Sequence, residues 1–211
     1  MNKTGSKGIP PLLFLCRFVR IIISALIEKR YFASLCGKGD RMKIILNAGH
    51  TKTGAGSGAV GYLNESAETR KVVSLMKYYL QGKGHEVIVA NVDKAESRSA
   101  YLYGVARKAN QHEDADLFVS VHFNAGGGQG CECYTWKGKQ TPQAVAVCKE
   151  LSALGFVNRG VKDGSDLYVI SKTTMPAVLV EVCFADSMGD ASRYKRLGSK
   201  VAQAITRGIL R

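Results

Sequence analysis

Three side chains that could bind a metal or move a proton stand at the ends of apolar, strand-like runs. His50 follows Ile-Ile-Leu-Asn-Ala-Gly, His122 follows Leu-Phe-Val-Ser-Val, and Glu181 follows Ala-Val-Leu-Val. In an open α/β sheet, functional groups collect outside the carboxyl ends of the strands. We therefore expect these side chains to converge, although 72 and 59 residues separate them along the chain.

Glu65 stands where a glycine-containing loop meets the first predicted helix, so its side chain could reach the same edge of the sheet. Two imidazoles and one carboxylate form a ligand set of catalytic zinc sites, which keep a fourth position for water. We therefore expect His50, Glu65 and His122 to bind the metal. Glu181 then remains as a general base close to the metal.

Each of these residues also has a structural interpretation. A single histidine after a strand is more often structural than a ligand. Glu181 lies inside an apolar run, where burial is costly unless the carboxylate is paired in a salt bridge or lies near a cation. Asn124, two residues past His122, is a candidate substrate-binding residue, and a strand-ending turn residue is the alternative. The joint pattern favours a metal site.

The elements that must position these side chains alternate between strand-like and helix-like segments from Met42 onward. This alternation predicts an α/β fold with a single three-layer domain, in which helices flank a largely parallel, twisted sheet. The predicted strands are residues 44–46, 87–90, 117–121, 167–170 and 177–182, with a further strand-like stretch around Cys131 and Cys133. The predicted helices are residues 68–81, 97–111, 142–154 and 190–210, and residues 51–64 form a loop.

The charge of the chain is unevenly distributed. The net charge is +13, and residues 1–41 hold eight Lys and Arg against two acidic residues. Subtracting this surplus of six leaves +7 for residues 42–211, which we expect to form one catalytic domain. A basic surface favours nucleic acid, anionic lipid or an acidic cell wall without choosing among them, and a solvated basic surface is the alternative.

The six cysteines do not predict a disulfide framework. No two of them have Cys-x-x-Cys spacing, and a chain of 211 residues is large enough to fold around its own core. Cys131 and Cys133 alternate along a strand and therefore share one face. We expect buried free thiols, with a pair that binds a soft metal as the alternative.

Residues 1–41 form a basic, apolar leader. Arg17 and Arg20 interrupt its apolar stretch, and each would cost about 2.5 kcal/mol or more at the centre of a bilayer, which disfavours a simple transmembrane helix. Three interpretations stay open: an export signal or membrane anchor, an interfacial amphipathic helix, and a native start at Met42 with a non-native extension before it.

Four motifs in a fixed order carry a family resemblance. They are Asn-Ala-Gly-His50, Asn64-Glu65, Ser-Val-His122-Phe-Asn124 and Met-Pro-Ala-Val-Leu-Val-Glu181. This order resembles the zinc-dependent N-acetylmuramoyl-L-alanine amidases, which include catalytic domains of endolysins and autolysins. Each motif alone is weak, but the four together are specific. The resemblance runs from about Met42 to the end of the chain and includes the stretch Asn-Arg-Gly-Val-Lys162.

The resemblance implies hydrolysis of the amide bond between N-acetylmuramic acid and L-alanine in peptidoglycan, with one zinc ion per chain. It implies His50, Glu65 and His122 as ligands and Glu181 as the catalytic glutamate. Two departures from the family pattern follow His50 and Glu181, at Thr-Lys-Thr-Gly and at Cys-Phe-Ala-Asp. Glu68, one helical turn beyond Glu65, competes for the third ligand position.

The resemblance also implies peptidoglycan as the partner and the bacterial cell wall as the place of action, reached by export or anchoring through the leader or by release from the cytoplasm at lysis. Nucleic acid is not expected, because zinc-finger spacing and aromatic-basic RNA motifs are absent. Nothing in the sequence indicates an obligate oligomer. The rivals are a zinc peptidase that cuts the peptide stems and a non-catalytic basic binder of wall polymer.

Overall fold

The computed structural model describes residues 41–211. Apart from Arg41, the predicted leader lies outside the described residues, and so do Cys16 and Cys36. Within residues 41–211, no helix combines the length and the apolar character that crossing a membrane requires.

Strands and helices alternate along most of the chain, as the sequence predicts. In chain order the elements are β1 (Lys43–Ala48), α1 (Glu65–Gly82), β2 (Glu86–Val89), α2 (Arg98–Asn110), β3 (Leu117–Asn124), β4 (Cys131–Thr135), a 3₁₀ turn (Trp136–Gly138), α3 (Pro142–Ser152), β5 (Asn158–Asp163), α4 (Tyr168–Ser171), β6 (Ala177–Phe184), α5 (Met188–Leu197) and α6 (Ser199–Ile209).

The six strands form one sheet in the order β2-β1-β3-β6-β4-β5. All neighbouring strands are parallel except β4 and β6, which are antiparallel. Apolar clusters pack on both faces of this sheet. The predicted α/β fold, with one largely parallel sheet between two helical layers, is therefore confirmed.

Alternation of side chains along the strands separates the two clusters. The larger cluster takes Ile44 and Leu46 from β1 and packs them with residues of α1, α3 and α6. The smaller cluster takes Ile45, Phe118 and Leu179 from β1, β3 and β6 and packs them with residues of α2 and α4. On this second face the apolar residues occupy only the amino-terminal halves of the three strands.

The carboxyl-terminal halves of the same strands carry polar side chains on that second face. Asn47 lies two residues after Ile45, Ser120 and His122 lie two and four after Phe118, and Glu181 lies two after Leu179. In register, Asn47 pairs with Ser120, and His122 pairs with Glu181. The fold thus places a polar row where the smaller core ends.

Three sequence predictions differ from the structure. The strand predicted at residues 167–170 is wrong, because Tyr168–Ser171 forms a short helix, α4, whose Val169 and Ile170 are buried. A short apolar run cannot by itself distinguish a buried helical turn from a strand. The helix predicted at residues 190–210 is two helices, divided at Gly198 with φ 51°. Strand β5 was not among the predicted strands.

The cysteines of the described part of the chain are free and buried, as predicted. Cys131 and Cys133 lie on β4 and both belong to the larger apolar cluster, which agrees with their expected common face. Burial raises the pKa of the Cys131 thiol to about 12, so this side chain is a neutral core residue at physiological pH.

Close packing of α6 on α3 gives a prediction for Gly208. An alanine Cβ there would lie 2.6 Å from the Val147 Cα, although Gly→Ala inside a helix ordinarily stabilises by up to about 1 kcal/mol. We expect Gly208→Ala to reduce the free energy of unfolding by about 1–3 kcal/mol through overpacking, measured by urea denaturation. Gly189→Ala in α5 is the control, because its Cβ would meet no atom within 4 Å. Equal stability of both variants would contradict this account of the packing.

Candidate metal centre

The chain leaves β1 through a strained turn at His50. His50 has φ 70°, a left-handed conformation that few residues other than glycine adopt. Its backbone N–H donates to the Tyr101 hydroxyl at 2.6 Å, and its carbonyl accepts from Arg70 at 3.0 Å. Such strain persists only where surrounding contacts hold it, and it is frequent at functional sites.

Glu65 is the first residue of α1, and its carboxylate is buried at the start of that helix. Asn64 caps the helix, because its side chain accepts from the Ala67 N–H at 3.0 Å. A carboxylate in the first helical turn also interacts favourably with the helix dipole. Two backbone amides orient the group: Phe123 N–H donates to Oε1 at 3.0 Å, and Ala59 N–H donates to Oε2 at 2.9 Å.

A glycine allows the loop before α1 to cover His50 and Glu65 closely. Gly58 has φ +81°, and a Cβ at this position would lie 2.8 Å from the His50 ring and 2.9 Å from Glu65 Oε2. A larger residue would therefore displace both side chains. The loop at residues 51–64, which the sequence predicts, thus forms one wall of the site.

The hydrogen bonds of His50 determine which ring nitrogen carries the proton. Its Nδ1 lies 2.9 Å from the Gly56 carbonyl oxygen, which can only accept, so Nδ1 is the protonated nitrogen. In the neutral ring Nε2 then carries the lone pair, and it faces Glu65 Oε1 at 3.0 Å. The neutral form of His50 therefore presents a metal-binding nitrogen on the side of the Glu65 carboxylate.

A chain of buried polar side chains determines the tautomer of His122 in the same way. The Asn47 amide donates to the Ala90 carbonyl at 3.0 Å, so its Oδ1 is free to accept from Ser120 Oγ at 2.8 Å. With its proton used in that bond, the Ser120 oxygen accepts from His122 Nε2 at 3.1 Å. Nδ1 is then unprotonated, and it lies 3.1 Å from Glu65 Oε1.

Three acceptor atoms therefore converge. His50 Nε2 and His122 Nδ1 lie 3.0 Å and 3.1 Å from Glu65 Oε1, and the three residues can each offer a ligand atom within 4.8 Å of the other two. Burial lowers the pKa of His122 despite the nearby Glu65 carboxylate, so a second proton on this ring is disfavoured. Acceptors at this separation repel unless a cation lies between them. Two imidazole nitrogens and one carboxylate oxygen are a ligand set that fits a divalent metal such as zinc.

Glu181 lies on β6 directly beside this group, since its Cα pairs with that of His122 in the parallel sheet. The residue is partly exposed, but its Oε2 is enclosed and has no hydrogen-bond partner within residues 41–211. Burial, followed by the charges of Glu65 and Glu132, raises the pKa of Glu181 well above its usual range. Buried polar atoms are ordinarily hydrogen-bonded, so an enclosed oxygen without a protein partner indicates a place for a ligand, an ion or an ordered water.

The structure places the other two candidates elsewhere. Glu68 turns away from the site: its Oε1 accepts from Lys71 Nζ at 2.8 Å and its Oε2 from the Tyr194 hydroxyl at 3.0 Å. Asn124 lies outside the ligand group and donates to Glu132 Oε1 at 2.8 Å. Of the two glutamates that compete for the third ligand position, Glu65 is therefore the one that meets the histidines.

Sequence reasoning gave no role to the residues that hold the site together. Asn47, Ser120 and Glu132 are polar residues within buried strands, and such residues need hydrogen-bond partners. That requirement is the signal that could have identified them. Tyr101 and Arg70 contact His50 through its backbone, and no sequence pattern indicates such contacts.

A comparison with curated proteins shows relatives named as amidases or endolysins and relatives that are uncharacterised. The N-acetylmuramoyl-L-alanine amidase CwlM of Bacillus licheniformis is 32% identical over 171 residues, which cover 79% of this chain and 65% of CwlM. The endolysin of Bacillus phage SPP1 is 35% identical over 164 residues, which cover 72% of this chain and 58% of the endolysin. An uncharacterised protein of Clostridium perfringens is 34% identical over 177 residues, and the chain spans about half of its length, 51%.

Solved structures show the same fold. The catalytic domain of the CD27L endolysin, which targets Clostridia Difficile, is 28% identical with a TM-score of 0.75, and the match covers 81% of this chain and 97% of that domain. The catalytic domain of the amidase CwlV from Bacillus (Paenibacillus) polymyxa var. colistinus is 29% identical with a TM-score of 0.65, covering 80% and 96%. A family model for N-acetylmuramoyl-L-alanine amidase matches residues 44–211, from the first strand to the last residue, and this chain therefore belongs to the N-acetylmuramoyl-L-alanine amidase family.

Proposed function

We propose that this chain hydrolyses the amide bond between N-acetylmuramic acid and L-alanine in peptidoglycan. In this proposal His50, Glu65 and His122 hold one zinc ion, and Glu181 is the general base. The observation that carries the proposal is the convergence of three acceptor atoms beside a carboxylate oxygen that has no protein partner. Family membership supplies the bond that is cleaved.

The metal ligands would be His50 Nε2, Glu65 Oε1 and His122 Nδ1, because these are the atoms that face one another. Zinc held there would polarise the scissile carbonyl and lower the pKa of a water from 15.7 to about 7. The protein contributes rigidity: each ligand side chain is fixed by a hydrogen bond that does not involve the metal. Such outer contacts orient ligands and raise metal affinity.

Glu181 would take a proton from the attacking water and return it to the departing nitrogen of L-alanine. A general base works best when its pKa lies near the pH of the reaction, and burial moves the pKa of Glu181 in that direction. Its enclosed Oε2 makes no competing hydrogen bond within the described residues. Asn124 uses one amide N–H on Glu132, and we propose that its second N–H donates to substrate.

The remaining proposals concern the whole protein. We propose that residues 42–211 are the catalytic domain and that the chain acts at the bacterial cell wall. Residues 1–41 would serve as an export signal or membrane anchor, unless they are an extension upstream of a native start at Met42. Cell-wall amidase and endolysin relatives support the place of action.

Digestion of purified peptidoglycan tests the proposed reaction. We expect the protein to release intact stem peptides that begin with L-alanine, identified by mass spectrometry, and we expect a chelator to abolish and zinc to restore this activity. Stems cleaved internally would instead indicate a peptidase. Wall that is bound but not cut would indicate a non-catalytic binder.

Substitutions at the site test the assigned roles. Glu181→Gln should lower turnover by about 10²- to 10⁴-fold, because proton transfer is lost, while zinc content measured by atomic absorption stays unchanged. His50→Ala and His122→Ala should lose the zinc. Glu68→Gln, one helical turn from Glu65, is the matched control and should keep both zinc and activity. Loss of zinc from Glu181→Gln would move Glu181 into the ligand set.

The hydrogen bond between Ser120 and His122 predicts a separate effect on metal affinity. Ser120→Ala removes the acceptor of the Nε2 proton, so zinc affinity, measured by competition with a chromogenic chelator, should fall about 10- to 100-fold. Ser120→Thr keeps the hydroxyl and should restore most of the affinity. Thr206→Val removes a buried hydroxyl from α6 and should leave affinity unchanged. Wild-type affinity in Ser120→Ala would refute this role.

The raised pKa of Glu181 predicts a pH-dependent stability difference in the metal-free protein. The pKa of Glu181 is higher in the folded state than in the unfolded state, so ionisation of Glu181 opposes folding. This loss of folding free energy is absent below the unfolded pKa, and it grows as pH rises to and through the folded pKa. In the presence of chelator, Glu181→Gln should unfold about 2–4 °C above the wild type at pH 8, for a gain of about 1 kcal/mol. The gain should shrink towards pH 4.5. An equal gain at both pH values would contradict the assignment.

A further inference from the structure

A second buried carboxylate lies next to Glu181, and it accepts hydrogen bonds from side chains that are not among the proposed metal ligands. Glu132 on β4 is 2% exposed and stands directly opposite Glu181 in the antiparallel pair of β4 and β6. Its Oε1 accepts from Asn124 Nδ2 at 2.8 Å and from the Tyr134 hydroxyl at 2.9 Å, and its Oε2 accepts from Arg159 Nε at 2.7 Å. Glu132 therefore fixes three side chains at the edge of the site.

A β-bulge places Arg159 and Val161 on opposite faces of the sheet. On β5, Asn158 pairs with Cys131 and Val161 pairs with Cys133, so Arg159 and Gly160 together stand opposite the single residue Glu132. Gly160 has φ +78°, as bulges with a glycine commonly do. In a regular strand Arg159 and Val161, two residues apart, would share one face. The bulge lets Arg159 face Glu132 while Val161 packs against the larger apolar cluster on the other face.

The guanidinium group of Arg159 is held at one end only. Its Nε donates to Glu132, and its central carbon lies 5.1 Å from the centre of the Phe184 ring. The side chain is 38% exposed, and within residues 41–211 neither terminal nitrogen makes a hydrogen bond. Arg159 thus presents an oriented pair of N–H-bearing nitrogens, which is the geometry that binds a carboxylate through two parallel bonds.

Arg159 continues a row of residues that crosses the sheet from the metal ligands. His122 pairs with Glu181, Glu181 pairs with Glu132, and Glu132 faces Arg159. Neighbouring strands lie about 4.8 Å apart, so the Cα of Arg159 is about 10 Å, or two strands, from the Cα of Glu181. An extended peptide advances about 3.3–3.6 Å per residue, so a substrate lying along this row reaches Arg159 two to three residues from the scissile amide.

We propose that Arg159 binds a free carboxylate of the stem peptide at its second or third residue, so that the enzyme prefers stems with this carboxylate to stems in which it is amidated. This inference rests on the proposed amidase function. The peptide side of the substrate must supply the anion, because the lactyl carboxyl group of muramic acid is consumed in the scissile amide. The competing account is that Arg159 only neutralises Glu132.

Matched synthetic substrates separate the two accounts. N-acetylmuramoyl tripeptides that begin with L-alanine would be made in pairs, with a carboxylate or a carboxamide on the side chain or α-position of the second or third residue. We expect the wild-type protein to prefer the carboxylate of at least one pair by about 10- to 100-fold in kcat/KM. In Arg159→Gln the two members of that pair should react within about twofold of each other.

Two further variants control for charge and folding. Lys162 lies three residues farther along β5, opposite Tyr134, and Lys162→Gln removes the same charge about 10 Å from Arg159, so it should keep the wild-type preference. Arg159→Lys keeps the charge beside Glu132 but loses the pair of N–H-bearing nitrogens of the guanidinium group. This variant should keep only part of the preference for the carboxylate substrate. The preference is the ratio of two kcat/KM values measured on the same variant. A partly unfolded fraction lowers both values equally and does not change their ratio.

Calorimetry of the binding of the free tripeptides gives a measurement that does not require hydrolysis. The wild type should bind the carboxylate peptide about 10- to 100-fold more tightly than its carboxamide, and Arg159→Gln should bind both equally. A wild type without preference, or an Arg159→Gln variant that retains it, overturns the role of Arg159. Failure of the wild type to cleave any substrate overturns the amidase function instead, and the binding ratio still decides the role of Arg159.

Discussion

The contact of Glu65 Oε1 with two imidazole nitrogens is the constraint on which the rest of the site depends. Three acceptors at this distance are unfavourable by themselves, and the other polar atoms of the three side chains are held by hydrogen bonds to surrounding residues. The Gly56 carbonyl accepts a hydrogen bond from His50, Ser120 accepts one from His122, and backbone amides donate to Glu65. The strained backbone of His50 and the close approach of Gly58 serve the same arrangement.

Charge at this edge of the sheet favours a divalent cation. Three carboxyl groups, those of Glu65, Glu132 and Glu181, lie together there, and among the described residues the salt bridge of Arg159 supplies one positive charge to them. Burial and the charges of Glu65 and Glu132 hold the pKa of Glu181 well above its usual range, so ionisation of Glu181 is disfavoured without a cation. A divalent metal at the converging ligand atoms would draw Glu181 towards its ionised form.

The sequence predicts the fold and the ligand group where the signal is local. Apolar runs that end in His50, His122 and Glu181 mark the central parallel strands, and parallel strands bring their ends to one edge whatever their separation in sequence. Prediction from the sequence fails where packing or strand pairing between distant parts of the chain decides the local structure. Residues 167–170 are apolar because α4 packs on the smaller core, and β5 exposes most of its side chains, so it has no apolar run. Glu132 could be recognised as unusual, but its neighbours Asn124 and Arg159 follow only from the strand order.

Strand β4 lies between β6 and β5 and runs antiparallel to β6, so two sets of strands contribute residues to the site. The proposed ligands come from the carboxyl ends of β1 and β3 and from the start of α1, and the proposed general base comes from β6. Because β4 runs against β6, the beginnings of β4 and β5 meet this same edge, and they bring Glu132 and Arg159. The residues proposed to hold the metal and those proposed to meet the distant part of the substrate therefore lie on different strands. Substitutions on β5 could change substrate choice without disturbing the contacts that fix the metal ligands.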